Sequence, residues 1–365
     1  MRNETLTTNH RIILNTLSEP LLRKSFFYHD IRITYYTNSA SLLTQFDDLL
    51  DIYPQPEQVR GEVDYAILCY ESASQFAVQL PVARKHSETI KLITGTRLRY
   101  YSSLDDSVEY HRYSALPSMN GPALSAIYAS ENFALTQIEQ PEAYQPLFLR
   151  RCVLLLTLGQ LVRPFHFEAC HAAAITAPWD SQQAALIFGS SGSGKTTLSL
   201  GCTVQGYGLI GDDLVMLREN TAQHDISAYS LMPEVSVRAG TLDLWSSLSF
   251  LQAQPPDNRG KRHCLIEQIR PGALILQAPI RLLLFPTLIE ARESSVVSMS
   301  KAEALQGLIE HCMRIEKAYP PTQEQLFLLL VQLTEQARSY RMMVASHAAD
   351  YPSLLGRLFA GGSYE

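Results

Sequence analysis

Residues 189–196 read Gly-Ser-Ser-Gly-Ser-Gly-Lys-Thr, and no other stretch of the chain restricts its fold as strongly. Glycines at 189, 192 and 194 let the backbone turn tightly enough for consecutive N–H groups to point inward at one anion. The apolar run AALIF (184–188) precedes the octet, and a helical pattern follows from Lys195 to about Gln205, stopped by Gly206. The next run, GLIGDDLVML, reads as a strand. Strand, glycine loop, helix and strand is the order that a phosphate-cradling loop needs.

In such a loop Gly189, Ser190, Ser191, Gly192, Ser193 and Gly194 are expected to surround phosphate oxygens, with Thr197 one step into the helix. Lys195 is expected to reach the β and γ phosphates. The Thr196 hydroxyl is placed to bind Mg²⁺. Average residue usage produces this pattern by chance in roughly one chain of this length in a hundred. ATP and Mg²⁺ are therefore the expected ligands. Asp212 and Asp213 lie just past the apolar segment Gly208-Leu209-Ile210, one helix and one turn beyond Lys195. Two adjacent carboxylates there can divide labour, one holding the metal and the other accepting a proton from an attacking hydroxyl. The chain has no LSGGQ-type stretch, and the late strand RLLLFP ends in proline where a transporter ATPase carries a metal-binding acid pair. It also lacks the NKxD that selects guanine.

The remaining organisation predicts an α/β fold with a smaller β-rich N-terminal domain over 1–118 and a nucleotide-binding domain over 119–365. Between 26 and 37 Ile31, Ile33 and Tyr35 alternate with polar positions, the period of a half-buried strand. DYAILCY (64–70), FAVQL (76–80), TIKLIT (89–94), RLRYY (97–101) and SVEYHRY (107–113) follow with the spacing of an antiparallel meander, and a helix is expected near 41–50. LPSMNGPALS (116–125) has the composition of a linker. Beyond it the expected elements are a helix over 141–162, a strand FEACHAAAIT, a central strand APIRLLLFP (278–286), helices over 300–314 and from Thr322, and a last helix near 352–360. The 300–314 helix opens on a Ser300/Glu303 capping box.

A net charge of −6, with no basic stripe, gives no field for nucleic acid. The six cysteines are scattered without a CxxC pair, which fits a reducing compartment, and no apolar run is long enough to cross a bilayer. A cytoplasmic location is the expectation, with neither nucleic acid nor membrane as partner.

The segment CHAAAITAPWDSQQAALIFGSSGSGKTTLSLGCTVQGYGLIGDDLVML resembles the core of the HPr kinase/phosphorylase superfamily and its HPr-kinase-related relatives. In that superfamily a His-plus-small-residue strand precedes the phosphate loop, and an Asp-Asp pair follows a short helix that ends in Gly. The resemblance is tight from about 168 to 218 and runs loosely on through LMPEVSVRAG, LLLFP and SYRMMVASH. It implies a core shared with ATP-dependent phosphoenolpyruvate carboxykinase, and kinases that phosphorylate a serine hydroxyl of a protein or peptide. Under it Lys195 and Thr196 bind phosphate and Mg²⁺, Asp212 and Asp213 supply base and metal contact, and His171 stands near the transferred phosphoryl. A homo-oligomer is compatible with it. The E-x-R-G signature of HPr kinases proper is replaced by Glu234-Val235-Ser236-Val237-Arg238-Ala239-Gly240, with different spacing. Glu234 is the counterpart for a second metal contact and Arg238 for a phosphate or structural partner, in a relative with another substrate.

Two clusters invite other readings. His166, Glu168 and Cys170 share a face of an extended strand, yet two-residue spacing on one strand rarely closes a tetrahedral metal site. Arg259, Lys261, Arg262 and His263 could hold a phosphate or an acidic peptide, but such runs are more often solvated loops. The expected function is transfer of the ATP γ-phosphoryl to a serine or threonine hydroxyl of a protein or peptide. The alternatives are a small-molecule kinase or carboxykinase-like enzyme on the same core, and a module that senses ATP without turning it over.

Overall fold

A computed structural model describes residues 21–78, 87–91, 97–102, 108–114, 124–129, 132–144, 149, 156–190, 192–220, 224–257, 260–312, 323–345 and 350–361. The chain divides into two compact units, Met1–Phe165 and His166–Glu365. The first contains one eight-stranded sheet built from β1 (Leu22–Tyr28), β2 (Ile31–Thr37), β3 (Gly61–Tyr70), β4 (Ser87–Lys91), β5 (Arg97–Ser102), β6 (Val108–Ser114), β7 (Leu124–Ala129) and β8 (Phe133–Glu139). Its order is β1-β2-β3-β8-β7-β6-β5-β4. β4 to β8 form an antiparallel meander, whereas β3 runs parallel to both β2 and β8. The alternation at 31–35 is that of a one-sided strand: Ile31 and Ile33 are fully buried and Tyr35 is 2% exposed.

Several expectations for this unit change. The stretch 26–37 is a hairpin, turning at His29-Asp30 with His29 in the left-handed region at φ 53°. Phe76 to Val78, the described part of FAVQL, is not strand; the Val78 N–H and C=O are met by the Gln137 side chain. Most of the linker segment lies outside the described residues, and its last two residues begin β7. A boundary at 118 would cut β7 and β8 from the sheet they complete, so the first unit extends to Phe165. The region expected to be one helix over 141–162 opens as a 3-10 turn, Pro141–Ala143, and is α-helical at Leu156–Val162, packed on β7 and β8.

The second unit is a mixed α/β structure. Its strands are β9 (Glu168–Cys170), β10 (Ala173–Ala177), β11 (Asp180–Ile187), β12 (Gly208–Gly211), β13 (Val215–Asn220), β14 (Asp225–Ser230), β15 (Glu234–Arg238), β16 (Lys261–Leu265), β17 (Gln277–Ile289), β18 (Ser295–Ser298) and β19 (Arg338–Ala345). β17 is central, as expected of an apolar run: it is parallel to β11 and β19 and antiparallel to β14. β15 and β16 form a separate hairpin. Side chains alternate between two cores. Ala173, Ile175, Ala185, Ile187, Leu282 and Leu284 face the helices Lys195–Val204 and Tyr351–Phe359. Ala174, Ala184, Leu186, Phe188 and Ile280 face Lys301–Cys312 and Gln323–Gln336. Helices on both faces are what strands this apolar require. Each fully buried Leu, Ile or Phe in these layers contributes about 1.5–3 kcal/mol. The Ser300/Glu303 box is formed, with Ser300 N donating to Glu303 Oε2 at 2.9 Å and Glu303 N donating to Ser300 Oγ at 3.3 Å. Among the described residues no helix is long and apolar enough to cross a membrane.

Two runs expected to be single strands are broken. FEACHAAAIT splits into β9 and β10 at His171-Ala172, and GLIGDDLVML splits into β12 and β13 at Asp212-Asp213-Leu214. β10 pairs with β12 while β9 pairs with β13, so both runs change neighbours at the same level. This switch positions the site.

Candidate functional site

The glycine loop leaves the end of β11 and leads into the helix Lys195–Val204. Its conformation needs its glycines. Gly192 and Gly194 have φ of 89° and 94°, and a Cβ on Gly189 would stand 2.2 Å from Ser193 Oγ. The first turn of the helix carries amide donors with no intrahelical acceptor, which favour an anion at that end. Lys195 is only 5% exposed and its Nζ donates to the carbonyls of Gly189 and Ser190, so the ammonium is folded over the loop. Burial lowers its proton affinity, and Asp213 and Asp212 oppose that shift. Ser191 lies outside the described residues. Thr197 points away from the loop: its Oγ1 pairs with Thr241 Oγ1 at 2.9 Å, and its carbonyl accepts from Tyr351 Oη at 3.0 Å.

The break between β12 and β13 places the two acids differently. Asp212 is buried, accepting from Thr196 Oγ1 at 3.0 Å on Oδ2 and from Ser199 Oγ at 3.2 Å on Oδ1. The expected metal pair, Thr196 and Asp212, is thus joined directly. Asp213 sits in the left-handed region at φ 73°, a conformation that costs about 1–3 kcal/mol for a non-glycine residue. There its carboxylate faces Lys261 Nζ at 3.5 Å. His171 occupies the facing break between β9 and β10 and hydrogen-bonds the Asp213 backbone. Burial, and then the Lys195 charge, hold the imidazole below its usual range, so it is neutral at pH 7.

Glu234 begins β15. It is buried there opposite Leu265, four residues along the ladder from the Arg238/Lys261 pair, which is about 13 Å at ~3.3 Å per residue. Its charge adds to burial in pushing the Cys264 thiol up to about 12. Arg238 is exposed at the far end of the same strand. Of the basic run, Arg259 lies outside the described residues, Arg262 Nε donates to the Gln254 carbonyl at 3.0 Å, and Lys261 is the member that reaches the acids. The run is not the solvated loop expected of it: Lys261–Leu265 is a strand paired with β15. KRHCL shows no polar/apolar alternation to mark it as a strand; the pairing alone makes it one. Among the described residues no cluster of three or more His, Cys, Asp or Glu forms a metal site, so His166, Glu168 and Cys170 do not close one.

No family model matches the chain, and no curated protein matches it. Among solved structures, the Hpr(Ser) kinase/phosphatase from Coxiella burnetii is similar at 12% identity and a TM-score of 0.29, over 53% of this chain and 95% of that one. A likeness of that size carries no weight beside the residues themselves.

Thr196 and Asp212 offer the oxygen donors that suit a hard dication. Burial, and then repulsion from Asp213, raise the Asp212 carboxyl from 3.8 to about 7. This group therefore stabilises the fold most below pH 4, and the contribution is lost as pH rises through about 7. A metal held by Asp212 would run the other way, because it would need the carboxylate. The Mg²⁺ dependence of nucleotide binding should be roughly tenfold weaker at pH 6 than at pH 8. Titration calorimetry at the two pH values, with Asp212→Asn as reference, checks this; equal pH dependence in both proteins would exclude Asp212 as the titrating group.

Proposed function

We propose that this chain is an HPr-kinase-like phosphotransferase that moves the γ-phosphoryl of ATP to a serine or threonine hydroxyl of a protein or peptide. The observation that carries this reading is the direct hydrogen bond between Thr196, at the head of the loop helix, and Asp212, at the strand break. It couples a phosphate-gripping element to an acidic one at a distance set by backbone on both sides.

In this reading the loop amides and Lys195 hold the β and γ phosphates and keep the tail extended. Thr196 and Asp212 would hold Mg²⁺, which supplies charge neutralisation on the phosphate oxygens. Asp213, the more exposed acid, accepts the proton of the acceptor hydroxyl. The bond from the γ phosphorus to the bridging oxygen breaks and its electron pair leaves with ADP; the bond to the acceptor oxygen forms. Neutral His171 steadies the Asp213 backbone and with it the direction of the carboxylate.

Incubation of the pure protein with γ-labelled ATP and separate serine/threonine peptide and metabolite pools tests this. Label on a peptide hydroxyl is the expected result. Label on a metabolite alone would move the assignment to a small-molecule kinase, and nucleotide uptake without any transfer or hydrolysis would leave an ATP-sensing module.

A further inference from the structure

Lys261 has no assigned role in the reaction as written, yet its placement is tightly determined. Its side chain is 16% exposed and its Nζ lies 3.5 Å from Asp213 Oδ2. The backbone beneath it is closed into a ring by Asp257. Asp257 N donates to the Lys261 carbonyl at 2.7 Å, and Lys261 N donates to Asp257 Oδ1 at 2.9 Å. Gly260 N donates to the Asp257 carbonyl at 2.9 Å. The other carboxylate oxygen, Oδ2, is 3.0 Å from His263 Nε2, and His263 Nδ1 is 3.1 Å from Ser236 Oγ. Ser236 is buried in β15, so the ring is pinned through His263 to the floor of the hairpin. In the neutral ring, Nε2–H donates to Asp257 and Nδ1 accepts from Ser236.

The order Ser236, His263, Asp257 has the members of a nucleophilic triad, but Ser236 is 3% exposed and its hydroxyl is directed into the hairpin toward His263. The line acts as a brace. What it braces is a second ammonium on the same acid pair: Lys261 faces Asp213, and the adjoining Asp212 accepts from Thr196, the residue after Lys195. Two ammonium groups that converge on one acid pair repel, and a polyanion bound there offsets the repulsion.

We propose that Lys261 is a catalytic residue of the phosphotransfer, its ammonium binding the γ-phosphoryl oxygens opposite Lys195, with Asp257 and His263 as its positioning residues. The proposal rests on the phosphotransferase reading. Lys261 donates hydrogen bonds and moves no proton; charge that builds on the departing phosphoryl is met by a cation already in place. A β phosphate held by the loop amides would leave Lys261 to the γ-phosphoryl alone, so Lys261 would distinguish a triphosphate from a diphosphate.

Calorimetry with MgATP and MgADP on wild type, Lys261→Met, Lys261→Arg and His263→Ala reads this directly. Wild type should prefer MgATP. Lys261→Met should lower MgATP affinity roughly tenfold to hundredfold and leave MgADP affinity within about twofold. Unchanged MgADP binding also reports an intact fold. Lys261→Arg should keep most of the preference, and His263→Ala should lose part of it with Lys261 still present. A preference that survives Lys261→Met, or equal loss for both nucleotides, overturns the proposal and makes Lys261 a counter-ion of Asp213. If wild type takes up no MgATP at all, the phosphotransferase reading fails, and this one with it.

Discussion

Asp213→Ala should lower phosphoryl transfer by roughly a hundredfold to ten-thousandfold while MgATP binding survives, because the variant removes a proton acceptor and leaves the glycine loop and Lys195 in place. Asp212→Ala should lose turnover on the same scale for a different reason. Its two oxygens accept from Thr196 and Ser199, so its removal frees both hydroxyls and takes away the metal's carboxylate. The two variants separate on stability. Asp212 is buried with its carboxyl raised to about 7, so above neutral pH the free protein carries a charge that its surroundings oppose. Asp212→Asn should therefore melt higher than wild type at pH 8 without ligand, and be inactive: strain retained for function is relieved when function is given up. Steady-state transfer assays and a melting curve at pH 8 give both readouts. Full activity in both aspartate variants would defeat the assignment of base and metal contact.

The second large effect is on binding. Lys195→Ala should weaken MgATP affinity by about a hundredfold, the scale on which one or two charge-assisted hydrogen bonds to phosphate contribute. The lysine is almost fully buried and bent onto the carbonyls of Gly189 and Ser190, an arrangement in which its charge is poorly solvated. An anion on the loop gains that charge at little cost in side-chain entropy, since the rotamer is already fixed. Calorimetric affinity within about twofold of wild type, in a variant with unchanged circular dichroism, would remove the glycine loop as the phosphate site.

The sequence made some of this legible and hid the rest for identifiable reasons. The glycine loop was readable because its conformation depends on residue type: positive φ at 192 and 194, and no room for a Cβ at 189. The capping box at Ser300 and the apolar β17 were equally local. The strand breaks at His171 and at Asp212-Asp213 were not, because FEACHAAAIT and GLIGDDLVML are apolar on both sides and hold no proline at the break. They exist because each half pairs with a different neighbour, which is a tertiary fact. The boundary of the first unit was misplaced because a Pro/Gly-rich stretch has the composition of a linker even where it joins two strands of one sheet. Lys261 was hidden because only a hairpin spanning 234 to 265 returns it to the acids.

One contact at the other end of the loop helix bears on how the site keeps its dimensions. Arg270 donates from Nε to the Thr203 carbonyl and from Nη2 to the carbonyls of Gly206 and Tyr207, so a single guanidinium ties the tail of the helix to the start of β12. Helix and strand run from that knot like the arms of a pair of tongs, and their tips, Thr196 and Asp212, meet at 3.0 Å. How closely the tips approach is thus held by a contact about two turns of helix away from them.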